Sequence, residues 1–260
     1  MIECKYLFLG HHRCASTYVS SIFRDLAKLL GCSIETAVDF SDIPALGERQ
    51  VDFFLLLNSH SYFVSKFFRN LNNTKYLHVV RDPRDLIISA YYSHLNSHPL
   101  DLWPELATHR EKLRKLNKTC GIMAEMDFSR CFLNDLNSWE FKNTSNSLHV
   151  KMEELTADPF VKWLEIFKFM NIIDIGSKYD NVTAPRKSLT SDNVNLIVTK
   201  NSFEVKTGGR NRGVEEVTHH YRKGIHGDWK NHFNDELKDS FKNRHNDLLL
   251  KYGYENNAEW

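Results

Sequence analysis

Short apolar runs and longer amphipathic stretches alternate along this chain. Tyr6-Leu7-Phe8-Leu9, Phe53-Phe54-Leu55-Leu56-Leu57, Tyr76-Leu77-His78-Val79-Val80 and Leu148-His149-Val150-Lys151-Met152 are each followed by polar residues. Runs of this length, too short for helices and bounded by loops, read as buried strands. Between them the period lengthens. Residues 16–30 place Tyr18, Ile22, Leu26 and Leu29 on one face and stop at Gly31, a helix C-cap. Pro83 suits the first turn of a helix running through Leu86, Ile87, Ala90 and Tyr91. Residues 159–170 and 235–252 are two more helices, the last packing through Leu237, Phe241 and Leu248. Strands alternating with helices predict an α/β fold, a central parallel sheet flanked by helices. Ligands in such sheets sit beyond the carboxyl ends of the strands. The loops at 10–17, 58–60 and 81–85 all begin there.

Two regions break the alternation. Residues 95–118 are charged and interrupted by Pro99 and Pro104, and read as the start of an inserted acceptor-side cap reaching about residue 135. Residues 205–216 hold Gly208, Gly209, Arg210, Arg212 and Gly213 and read as a mobile basic loop. At 260 residues and 42% hydrophobic, the expected organisation is a single domain over 1–260.

Charge narrows the function. The formal net charge is +1, so any anion site is local, and neither nucleic acid nor membrane is an expected partner. Cys4, Cys14, Cys32, Cys120 and Cys131 have no metal-ligand spacing and suit reduced thiols in a cytoplasmic protein. A strand so close to Met1 leaves no room for a leader, so the sequons at Asn72 and Asn181 read as chance.

The chemistry concentrates in three segments. Gly10-His11-His12-Arg13-Cys14-Ala15-Ser16-Thr17-Tyr18 leads from a strand into a helix N-terminus, a natural anion cradle. It is almost a triphosphate loop of the form G-x-x-x-x-G-K-[ST], but Ala15 replaces the second glycine and Ser16 the lysine. The cation has moved to Arg13. In the second segment, Arg81-Asp82-Pro83-Arg84-Asp85 is followed by Ser89 and Tyr91-Tyr92-Ser93-His94. An Arg fork with a hydroxyl can clamp a terminal phosphate, or Arg81 can simply cap the sheet through Asp82 or Asp85. The third, Arg222-Lys223-Gly224-Ile225-His226-Gly227-Asp228-Trp229-Lys230-Asn231-His232-Phe233, sets two cations before a glycine whose backbone can approach a ligand. Taken alone it also reads as a basic surface turn.

In order and content the three segments resemble the sulfotransferases that use 3′-phosphoadenosine 5′-phosphosulfate (PAPS) and release 3′,5′-ADP. The resemblance is clear at both ends and through residue 94 and thin across the middle. It implies that Arg13, Cys14, Ala15, Ser16, Thr17 and Tyr18 form the 5′-phosphosulfate loop, with Arg13 where a lysine is usual and Tyr18 stacking on adenine. It implies that Arg81, Ser89, Arg222, Lys223 and Gly224 bind the 3′-phosphate, and that Phe203 is a second adenine contact. The family's K-T-H segment corresponds to Asn58-Ser59-His60. His60 is therefore the expected general base, and Asn58 departs from the family lysine. Arg13 is expected to steady the leaving phosphate during direct in-line transfer, without a metal. The expected acceptor is a small molecule bearing a hydroxyl or amine; His11, His12, Trp103, His109 and Met123 are candidates for its walls. A homodimer is compatible with the sequence. Two other readings stay open: a P-loop kinase or NTPase with Asp82 as metal ligand, and an inert nucleotide-binding module.

Overall fold

The computed structural model describes residues 1–101, 103–140, 142–173 and 189–260; the Asn181 sequon lies outside them. Five parallel strands form one sheet in the order β2-β3-β1-β4-β5, from β1 (Ile2–Leu9), β2 (Ile34–Ala37), β3 (Arg49–Leu56), β4 (Lys75–Val80) and β5 (Ser147–Lys151). The strands alternate faces, as a period of two dictates. Phe8, Phe53, Leu55, Leu77 and Val79 face one apolar cluster. Leu7, Leu9, Phe54 and Leu56 face another.

The first cluster is closed by α1 (Ser16–Leu30), α9 (Pro159–Phe169) and α10 (Ser191–Lys200). Helix α1 ends where the sequence says: Gly31 is left-handed (φ 69°), with its N–H donating to Ala27 O. The opposite face carries the short helices α2 (Ile43–Leu46) and α3 (Ser61–Phe67). A third cluster gathers α4 (Pro83–Tyr92), α6 (Lys118–Phe128), α7 (Arg130–Asn137) and α12 (Asp235–Lys251).

Helix α4 is buried along nearly its whole length and starts at Pro83 behind Asp82, whose side chain accepts from Arg84 N–H. It runs into a π turn at Ser93–Ser97, closed by a bond from His98 N–H to Ser93 O of 2.7 Å. Helix α5 (Pro104–Lys115) precedes α6 and α7 in the stretch read as a cap; α8 (Met152–Ala157) follows β5 directly, and α11 (Phe203–Lys206) is a single turn. Beyond α11 the basic segment is stitched down. Arg210 donates to the carbonyls of Tyr221, Arg222 and Val214, and Arg212 to Thr156 O. That bonding contradicts the expectation of a loose loop.

Candidate functional site

Gly10 sets the geometry of the loop after β1. Its N–H donates to Leu56 O at 2.8 Å, and its carbonyl accepts from Ser59 N–H at 2.9 Å. A Cβ there would stand 2.8 Å from Leu57 O and 2.9 Å from Ser16 Oγ, so only glycine fits. The chain then enters α1 through two left-handed residues, Arg13 (φ 60°) and Ala15 (φ 63°). Ala15 thus holds the backbone shape glycine adopts easily, at a cost of about 1 kcal/mol. Cys14, between them, turns inward beside Val80 and Leu86, and burial pushes its thiol up to about 12. Its N–H is spent on His11 O at 3.1 Å. Cys14 therefore packs the core and does not line the site, which corrects the expectation for it.

A cavity of about 430 Å³ opens where the sequence places a ligand. The chain beyond every strand contributes to its wall: Arg13 after β1, Val38 after β2, Asn58 after β3, Arg81 after β4 and Met152 after β5. Ala15, Ser16, Thr17, Tyr18, Ser89, Phe203, Arg222, Lys223 and Gly224 are also on the wall. The three distant segments meet in one place.

Positive charge dominates it. Arg13 Nε donates to Ser89 Oγ at 3.0 Å, and Arg81 Nη1 donates to Arg13 O at 3.2 Å. Burial, then the neighbouring Arg81 and Arg222 guanidiniums, push Arg13 down to about 10, still fully charged at pH 7. Ser16 Oγ–H is occupied by the carbonyls of His11 (3.0 Å) and Leu57 (3.3 Å), so its donor to a ligand is the backbone. Thr17 Oγ1 lies 3.1 Å from His220 Nε2.

Aromatic rings shape the apolar side. Trp163 Nε1–H donates to Tyr18 Oη at 3.1 Å and fixes that ring on the wall. Gly224 (φ 69°) lies so close to Phe203 that a Cβ would come within 2.6 Å of the ring. No other residue fits at position 224.

Buried Asp228 organises the basic pair. Its carboxylate accepts from Arg222 Nη2 at 2.5 Å, Lys223 Nζ at 2.6 Å, Asn231 Nδ2 at 2.9 Å and His232 Nε2 at 3.1 Å. Burial alone would raise this carboxyl; those bonds hold it far below the usual range. Asp85 ties the segment to α4, accepting from Gly227 N–H at 2.5 Å and Trp229 N–H at 2.8 Å.

Asp82 is spent elsewhere: both its oxygens hold Arg84, at 3.0 and 2.8 Å. That removes the metal ligand an NTPase reading required, and Arg81 is not the group that Asp82 or Asp85 neutralises. His60 is not on the cavity wall. It caps α3, with Nδ1 accepting from Tyr62 N–H at 3.2 Å, because the chain turns into a helix at that point. The imidazoles on the wall are His12, His98 and His220. Burial first, then nearby cationic groups, lowers all three pKa values, His220 to about 4. His11 lies beneath, its Nε2 2.7 Å from His78 Nε2. Trp103, His109 and Met123 are also off the wall; His109 bonds Glu125 at 2.9 Å. The sequence reading missed His98, His220, Tyr221 and Arg212 as wall residues; only Arg212 carried a signal, in its glycine-rich basic stretch.

A model of the sulfotransferase domain family matches residues 24–253. Rat sulfotransferase 1 family member D1 is 25% identical over 171 residues, 62% of this chain and 50% of that protein. Rat sulfotransferase 1C2 is 25% identical over 194 residues, 70% of this chain and 58% of that protein. The chain thus spans about half the length of the curated relatives it matches. Mouse sulfotransferase SULT7A1 complexed with PAP shares the fold with a TM-score of 0.63 at 15% identity, over 97% of this chain and 88% of that one. Retinol dehydratase in complex with androsterone and PAP gives 0.55 at 16% identity, over 95% and 80%.

Proposed function

Since the chain belongs to the sulfotransferase domain family, we propose that it transfers a sulfuryl group from PAPS to a hydroxyl of a small-molecule acceptor. One observation carries this reading. Arg13 and Arg81 stand together on the cavity wall, and among the described residues neither has a carboxylate within ion-pair distance. Adjacent cations repel, and a bound anion supplies the missing partner. A nucleotide with phosphate at both ends of its ribose matches charges spread from the loop after β1 to Lys223. Two structural neighbours were solved with PAP, and one of these with androsterone, which supports both the donor and a small acceptor.

PAPS, when bound, supplies a sulfuryl group already activated by its phosphate leaving group. Arg81, Ser89, Arg222 and Lys223 hold the 3′-phosphate by charge-assisted bonds. Gly224 brings its backbone alongside and leaves room for the Phe203 ring, which faces adenine together with Tyr18. The amides entering α1 and the Arg13 fork meet the 5′-phosphate, so a fixed cation awaits the charge that develops as the sulfur–oxygen bond breaks. Asn58, uncharged, leaves that task to Arg13.

Calorimetric titration tests the reading. 3′,5′-ADP should bind much more tightly than 5′-AMP, and Arg81→Ala should cost roughly 10- to 100-fold in 3′,5′-ADP affinity with little effect on 5′-AMP. Equal affinities of the unaltered protein for the two nucleotides would overturn it.

A further inference from the structure

Three histidines converge beside Arg13. His12 comes from the loop after β1, His94 from the π turn after α4, and His98 from the residue ending that turn. One ring nitrogen from each lies within 4.8 Å of the others. His12 Nε2 and His94 Nε2 are 3.0 Å apart. In a π turn, residues four apart lie almost above one another, so His94 and His98 share a side.

The outer contacts of these rings are those of metal-binding imidazoles. Buried Glu125 accepts from His94 Nδ1–H at 2.9 Å, which leaves His94 Nε2 with its lone pair. Glu125 is itself fixed by His109 at 2.9 Å and Ser129 Oγ–H at 2.5 Å. Pro99 O accepts from His98 Nδ1–H at 2.9 Å, which leaves the lone pair on Nε2 there too. A carboxylate behind one histidine and a backbone carbonyl behind another are the usual means of orienting imidazole ligands. Phe132 and Trp103 pack against His12, and Trp103 and Phe128 against His94, so the rings are held from outside as well.

We propose that His12, His94 and His98 form a three-imidazole site for a borderline divalent cation, zinc foremost, on the wall of the cavity. Nitrogens around tetrahedral zinc, at about 2.0–2.1 Å from the metal, stand roughly 3.3 Å apart; the His12–His94 pair is already at 3.0 Å, and the third nitrogen, within 4.8 Å, closes in on binding. An all-nitrogen set excludes magnesium and calcium, which take oxygen ligands. Three protein ligands leave the fourth position open toward the cavity that His12 and His98 line. The other clusters of possible ligands are already satisfied: Asp228 by its cations and amide, Glu125 by its two histidines and Ser129.

The metal site is tested without activity. The full chain, stripped with EDTA, is titrated with Zn²⁺ and separately with Co²⁺. One ion per chain should be retained through gel filtration, and Co²⁺ should give the visible absorption of a tetrahedral site. His98→Ala, on a half-buried turn, should weaken Zn²⁺ binding by about 100-fold or more, and Glu125→Gln by about 10- to 100-fold. His219→Ala, outside the cluster, should leave it unchanged. Failure of the stripped protein to take up an ion, or His98→Ala binding like the unaltered chain, overturns the proposal and leaves the histidines as a hydrogen-bonded cluster. Titration of the same stripped protein with 3′,5′-ADP judges the sulfuryl-transfer reading separately.

Discussion

The Arg13 guanidinium donates through Nε to Ser89 Oγ at 3.0 Å, a bond joining residues 76 positions apart. It ties the loop after β1 to the helix after β4, so these two parts of the cavity wall are set relative to each other before any ligand arrives. Ser89→Ala leaves a partly buried N–H without its acceptor and removes a hydroxyl from the proposed 3′-phosphate site. The expected result is a loss of about 10-fold in 3′,5′-ADP affinity, read by calorimetry. Unchanged affinity would show that the two segments are set by other contacts.

Ala15 carries a side chain in a backbone region that favours glycine. Ala15→Gly should therefore raise stability by about 1 kcal/mol, offset in part by the greater freedom glycine brings to the unfolded chain. The urea midpoint measures it. A lower midpoint would mean that the alanine methyl contributes more contact than its conformation costs.

Asp228 is 1% exposed and holds two cations at once. Asp228→Asn should cost about 3–5 kcal/mol, because Arg222 and Lys223 lose their buried counter-charge. The acid dependence has the same origin. A carboxyl depressed in the folded state stabilises the fold above its unfolded pKa of about 3.9, and that contribution is lost as the pH falls below it. A urea-unfolding difference under about 1 kcal/mol between variant and parent would show that this carboxylate does not organise the segment.

His78 and His149 meet beneath the sheet end through Nδ1 atoms 2.8 Å apart. Burial lowers both, His149 to about 4; the neighbouring His11 and His149 lower His78 further. Their unfolded values lie near 6.5, so the stability they lend is complete above that pH and declines as the pH falls from 6.5 toward about 4. Melting temperature should hold steady from pH 8 to 7 and drop below 6.5. Imidazole NMR signals that titrate near 6.5 for both residues would contradict this.

Much of this arrangement is legible in the residues themselves. The core strands announce themselves because each is an apolar run, and α1 because its stripe ends at Gly31. Strand β2 does not: it has four residues, lies at the sheet edge, and buries only Ala37. The segments proposed to bind phosphate stand out because their residues are contiguous. The histidine cluster is invisible for the opposite reason, since its ligands and Glu125 come from a loop, a π turn and α6. His60 was read by analogy with a motif. The strand end is where expected, but the next residues begin a helix, and the imidazole caps it.

Asp85 gives the final segment a particular standing. Gly227 and Trp229 both donate to one carboxylate on α4, so the cavity gains its last wall when the C-terminal segment meets that helix. A chain emerging during synthesis completes the cavity only after residues past 220 have docked.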